Sequence, residues 1–128
     1  MRLLLDTHAL LWWFTDDQRL SPNAREAMAD EGNIILVSAA SAWEVATKHR
    51  LGKLAEAAEA VSRFDELVAA DGFQHLPITH FHCIRAGQYA VDHRDPVDRM
   101  LAAQSELEGV TLVSIDPVFK LFNTSLLW

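Results

Sequence analysis

The stretch Arg2-Leu3-Leu4-Leu5-Asp6 decides how the rest of the chain is read. Three consecutive leucines carry neither a helical nor an alternating period, and an acid cuts the run at once. Such a run reads as a short strand buried on both faces. Ile34-Ile35-Leu36-Val37 repeats the pattern, and Val110 to Ile115 repeats it again, followed by Asp116 and Pro117. Gln74 to Leu76 and Ser125 to Trp128 are shorter strand candidates.

The segments between these runs read as helices. His8 to Phe14 is the first. Ser21-Pro22 opens the second, with Ser at the cap and Pro at the first helical position, and Gly32 stops it. Ser38 and Ser41 open a third, carrying Trp43, Glu44, Val45 and Lys48 and ending near Gly52. Leu54 to Ala70 reads as one amphipathic helix, with Val61, Phe64, Leu67 and Val68 at helical spacing and Asp71-Gly72 as its break. Thr79 to Ala90 is a further helix, and Asp95-Pro96 starts the last, which runs to about Leu107 and stops at Gly109. Strands alternating with helices predict an α/β fold, a three-layer α/β/α sandwich around a mainly parallel sheet. Its 128 residues predict a single domain over 1–128.

Half of the residues are hydrophobic, enough for a core without disulfide or metal staples. The one cysteine, Cys83, excludes an internal disulfide and is expected to be a buried apolar residue. No apolar run approaches the roughly 20 residues of a membrane span, and the chain reads as soluble and cytoplasmic. The net charge of −7 argues against gripping nucleic acid by bulk electrostatics. Divalent cations gathered by acids would offset part of it. His80 and His82 invite a zinc reading, but no Cys or His set completes a tetrahedral site.

Four acids stand at equivalent places. Asp6 ends the first strand, Glu44 lies one turn into the helix after the second, Asp98 lies in the first turn of the Asp95-Pro96 helix, and Asp116 follows the Val110–Ile115 run. Sites of open parallel sheets form outside the carboxyl ends of the strands, so neighbouring strands would bring these acids to one edge. Four converging carboxylates push one another toward protonation unless cations neutralise them. Oxygen ligands suit Mg²⁺ or Mn²⁺. Each acid also has a structural reading. Asp95 and Asp116 precede proline as N-caps, Asp98 fits a capping box, Glu44 a solvated helix face and Asp6 a turn.

At these residues the sequence resembles the PIN-domain family, and within it the VapC-like toxin branch. Leu3-Leu4-Leu5-Asp6-Thr7-His8 resembles the opening strand and first acid. Ser41-Ala42-Trp43-Glu44-Val45-Ala46-Thr47-Lys48 resembles the second-acid helix. His93 to Gln104 resembles the third-acid helix, with Asp98 in the ligand position. Leu112-Val113-Ser114-Ile115-Asp116-Pro117-Val118-Phe119 resembles the last acid strand, with Ser114 where the family commonly has Thr. The resemblance covers essentially the whole chain.

The resemblance implies a PIN-like α/β/α fold and a Mg²⁺- or Mn²⁺-dependent endoribonuclease. It further implies a homodimer and a cognate antitoxin, in a type II toxin–antitoxin system. Asp6, Glu44, Asp98 and Asp116 are then the catalytic, metal-holding set, with Asp95 as a fifth acid whose N-capping role competes. Thr7 and Ser114 are expected to support ligands or water. Lys48, Arg50, His93, Arg94 and Arg99 are the candidates for touching RNA, with Lys53 nearby. Trp12, Trp13 and Phe14 cannot all face one core, so one ring is expected either at an antitoxin groove or dimer contact or simply exposed beside a packed core.

Three other classes are weighed. A receiver-type domain wants paired acids after the first strand, and Asp6 stands alone. A haloacid-dehalogenase-like phosphatase wants a second acid two residues on, where His8 stands. A non-catalytic PIN-like binding module is expected to lose an acid, and all four are present.

Overall fold

A computed structural model describes the backbone of residues 1–128 and every side chain except that of Glu56. Five strands form one sheet: β1 (Arg2–Leu5), β2 (Ile34–Ser38), β3 (Gln74–Leu76), β4 (Thr111–Val113) and β5 (Leu126–Leu127). Their order is β3-β2-β1-β4-β5, and every pairing is parallel. Among the described residues seven α-helices surround it: α1 (Thr7–Phe14), α2 (Pro22–Ala29), α3 (Ala39–Arg50), α4 (Ala58–Ser62), α5 (Phe64–Ala70), α6 (His80–Gln88) and α7 (Pro96–Glu108). The three-layer α/β/α architecture is the one expected, with a sheet that is entirely parallel.

The leucine run divides between the two faces because side chains alternate along a strand. Leu4 joins Leu36 and Leu112 beneath α6 and α7, where Ala86, Leu101, Ala102 and Ala103 meet Phe119 and Phe122. Leu3 and Leu5 point the other way. With Ile35, Val37 and Val113 they pack against Ala9 and Leu10 of α1, Ala24 and Met28 of α2 and Val68 of α5. Leu3, Leu4 and Leu5 have no exposed surface. Burial of each contributes about 1.5–3 kcal/mol.

Three expectations change. The single helix over 54–70 is a 3-10 turn (Ala55–Ala57) followed by α4 and α5, with Arg63 between them at φ −124 and ψ 27. The two halves have different targets: Ala57 and Ala60 face Leu11 and Val45, whereas Val68 faces the sheet. One straight helix cannot serve both. The strand expected over Val110–Ile115 pairs only at 111–113. Ile115 is exposed, and Asp116 turns back to cap a 3-10 helix (Pro117–Leu121). Cys83 is exposed on the outer side of α6, because its neighbour His82 takes the inward position.

Trp12, Trp13 and Phe14 are all partly buried at the rim of the α1 core. Trp12 meets Trp128 edge-on, at 5.8 Å between ring centroids, so the C-terminal strand is docked. Among the described residues no helix is long and apolar enough to cross a membrane.

The site hangs on the centre of β1. Leu4→Ala should therefore lower unfolding free energy by roughly 2–5 kcal/mol in urea denaturation. A loss under about 1 kcal/mol would contradict the packing described.

Candidate active site

The register places the site. Leu5 of β1 lies opposite Val37 of β2 and Val113 of β4, so Asp6, Ser38 and Ser114 emerge together at the carboxyl end of the sheet. The chain winds outward from β1 to β2 and β3, then returns to lay β4 and β5 on the other side. The gap between β1 and β4 is the topological switch point, where open α/β sheets form their binding crevice.

Asp6 borders that gap. Its amide donates to the Val113 carbonyl at 3.1 Å. Its Oδ1 accepts from the Ala9 amide at 2.7 Å, making Asp6 the N-cap of α1. The Ser114 hydroxyl also bonds the carboxyl, while its Oγ accepts from the Asp116 amide at 3.0 Å. Asp6 is only 6% exposed. Burial pushes its carboxyl above the ordinary 3.8, and the charge of Asp98 pushes the same way. The Ser114 and Ala9 bonds and His8 pull it partly back.

Asp98 stands in the first turn of α7, which Asp95 caps by accepting the amides of Val97 at 2.9 Å and Asp98 at 3.0 Å on one oxygen. His93 Nε2 lies 2.8 Å from Asp98 Oδ2. Burial raises the Asp98 carboxyl above its ordinary value, His93 lowers it, and Asp95 and Asp116 raise it. Asp116 is exposed and caps the 3-10 helix through the Val118 amide at 3.0 Å. Asp6, Asp98 and Asp116 thus share one electrostatic neighbourhood.

Glu44 approaches from α3. Its carboxylate pairs with Lys48 one turn on, at 3.3 Å. It lines a small cavity with Trp43, Thr47, Lys48, Asp95, Pro96 and Val97.

Several of the candidate residues have partners within the chain. The buried Thr7 hydroxyl donates to Ser41 Oγ at 3.1 Å, tying α1 to α3. Arg99 is half-buried and engaged within the chain. Its guanidinium donates to the carbonyls of Ala86, Gly87, Tyr89, Val91 and His93 at 2.6–3.5 Å. The last carbonyls of α6 have no partner within the helix, and this planar fork satisfies them. His93 is turned to Asp98, and Lys48 to Glu44. Arg50, Lys53 and Arg94 are exposed.

Sequence reasoning passed over a second polar contact. Ser38 Oγ donates to Gln104 Oε1 at 2.5 Å, and Gln104 Nε2 reaches the Pro77 carbonyl at 3.3 Å. The signal was a lone amide beside Leu101, Ala102 and Ala103, since a buried amide needs partners.

Among the described residues no group of three or more His, Cys, Asp and Glu side chains is arranged to hold a metal ion unaided. The donor chemistry still fits a hydrated Mg²⁺ or Mn²⁺, which keeps several waters and needs one or two direct carboxylates. Among the described residues no lysine or arginine forms an ion pair with Asp6, Asp98 or Asp116. Among the described residues the ring of His93 is the side chain that meets this group as a hydrogen-bond partner of Asp98.

Comparison with known proteins agrees with this architecture. A family model described as PIN domain matches residues 3–123, and the chain belongs to that family. A stretch of 58 residues is 40% identical to Ribonuclease VapC16 of Mycobacterium tuberculosis (strain ATCC 25618 / H37Rv). It covers 45% of this chain and 41% of that protein, so the match spans about two fifths of the relative's length. The fold also matches a chain in the crystal structure of VapBC2 from Rickettsia felis bound to a DNA fragment from their promoter. The TM-score is 0.69 at 16% identity, over 99% of this chain and 98% of that one.

The raised Asp6 carboxyl has a consequence for stability. An acid whose folded pKa exceeds its unfolded value costs stability when ionised. The cost is complete above the folded value and vanishes below about 3.8. Asn caps a helix as well as Asp does. In metal-free buffer with EDTA, Asp6→Asn should therefore melt higher than wild type at pH 7, and the gap should close as the pH falls below about 3.8. A variant less stable than wild type at pH 7 would show that the capping charge outweighs burial.

Proposed function

We propose that residues 1–128 act as one PIN-like domain, a divalent-metal-dependent endoribonuclease that serves as the toxin of a toxin–antitoxin pair. One observation carries the catalytic reading: Asp6, Asp98 and Asp116 are electrostatically coupled near the switch point of the sheet, and among the described residues no lysine or arginine forms an ion pair with them. The relative named as a ribonuclease and the fold shared with a VapBC2 chain support the assignment.

In this reading Asp6, Asp98, Asp116 and Glu44 hold Mg²⁺ or Mn²⁺ directly or through water, with Asp95 retained as the cap of α7. A divalent cation held there would supply an activated water and charge stabilisation at the leaving oxygen. The chain's own residues supply the alignment. Asp6 is held by Ser114 and by the first turn of α1, and Asp98 by His93. Lys48 restrains Glu44. Hydrolysis adds a water oxygen to phosphorus and breaks the bond to the 3′ oxygen, leaving a 5′-phosphate and a 3′-hydroxyl. No side chain need act as the base. Exposed Arg50 and Arg94 are free to meet RNA phosphates.

The partner in this reading is a short antitoxin acting on a homodimer in the cytoplasm. A cavity of about 450 Å³ beside α1, lined by His8, Leu11, Trp12, Thr15, Asp17, Arg19 and Leu54, offers a groove for its apolar side chains. A basic side chain inserted among the carboxylates would compete with metal.

Two outcomes test the proposal. Purified protein should cleave RNA with Mg²⁺ or Mn²⁺ and stop with EDTA. Asp6→Asn and Asp98→Asn should each cut at least about a hundredfold more slowly; cleavage indifferent to EDTA sinks the mechanism. In cells, the wild-type chain expressed alone should arrest growth and Asp6→Asn should not, while a co-expressed neighbouring small protein should restore growth and co-purify. Harmless high-level expression with no co-purifying neighbour would refute the toxin role and leave the PIN fold standing.

A further inference from the structure

Trp43 is 59% exposed, although it stands beside Glu44. An exposed indole beside charged side chains offers a flat apolar face on which a planar ring can stack. Trp43 lines a cavity of about 170 Å³ between α3 and the start of α7, and the same cavity is bounded by Glu44, Lys48 and Asp95. Pockets for whole small ligands begin at roughly 300 Å³, so this one suits a single flat ring.

The helix beyond it has a matching character. Trp43, Thr47 and Arg50 recur at helical spacing, which puts them on one side of α3. The last turn of that helix carries Lys48, His49 and Arg50. An aromatic plate leading to a basic turn is the arrangement by which proteins hold a single strand, with bases stacked on rings and phosphates following the cations.

We propose that Trp43 is a stacking platform for one unpaired base of the RNA, positioned next to the carboxylate cluster, with the strand continuing toward Arg50. The proposal rests on the nuclease reading for its substrate class. A neutral base is not repelled by Glu44 and Asp95, whereas a phosphate in the same cavity would be. The surface therefore takes a base at Trp43 and the backbone at the basic turn. This arrangement also reconciles RNA binding with a net charge of −7, because stacking needs no bulk positive field.

The test separates binding from cleavage. Binding is read by fluorescence anisotropy of a fluorescein-labelled single-stranded RNA 12-mer of mixed sequence, titrated in Mg²⁺ with the full chain carrying Asp6→Asn so that the RNA stays intact. Adding Trp43→Ala should weaken binding roughly ten- to a hundredfold. Trp43→Phe, which keeps a ring, should recover most of the loss. In the cleaving wild-type background the Trp43→Ala loss should fall on KM rather than on kcat. Affinity unchanged by Trp43→Ala, an equal loss in Trp43→Phe, or no binding by any of the chains overturns the platform. So does a Trp43→Ala chain that passes from dimer to monomer in sedimentation velocity, which would assign the ring to a contact between copies. If wild type fails to cut RNA while Trp43→Ala still loses affinity, the nuclease reading falls and the platform stands.

Discussion

Asp6 is a carboxylate that the fold places where water is nearly excluded, and much of the site follows from that constraint. The leucine run before it must be buried on both faces, so β1 has to be the central strand. The residue that ends β1 then emerges between Ser38 and Ser114, one on each side. A buried carboxylate is costly unless its oxygens are bonded. The Ala9 amide and the Ser114 hydroxyl meet that need. Ser114 in turn receives the Asp116 amide, so the ends of β1 and β4 share one short hydrogen-bonded chain.

Two further acids are held by the same device. Asp95 and Asp116 each cap a helical turn, and each does so with one oxygen, Oδ1. Helix N-termini carry partial positive charge, which offsets part of the repulsion between neighbouring carboxylates. The capping and ligand roles weighed for these residues are therefore compatible. A cap fixes the carboxylate's direction and leaves the second oxygen without a backbone bond.

Positive charge near the cluster is largely engaged within the chain. Lys48 pairs with Glu44, and the Arg99 fork is wrapped in five carbonyls at the end of α6. Arg99 also shapes the segment that delivers His93 to Asp98, since it bonds the carbonyls of Val91 and His93 itself. Exposed positive charge remains at Arg50 on the end of α3 and at Arg94.

The sequence alone determined the layer architecture, because burial on both faces leaves an unbroken apolar run, and runs such as Leu3–Leu5 and Ile34–Val37 are visible without coordinates. It also determined the caps at Ser21, Asp95 and Asp116, whose chemistry is local. It did not determine the break at Arg63, because the two halves of that segment pack on different targets and a helical period does not say which. The partners of Thr7 and Gln104 were hidden for the same reason, since each is paired across elements far apart in sequence; those of His93 and Arg99 lie close in sequence but depend on how the irregular turn before α7 is folded. Which acids become neighbours was likewise decided only by the tertiary structure. Strand order β3-β2-β1-β4-β5 puts Asp6 beside Ser114 and Asp116, and no local signal in the chain specifies that β4, rather than β3, lies next to β1.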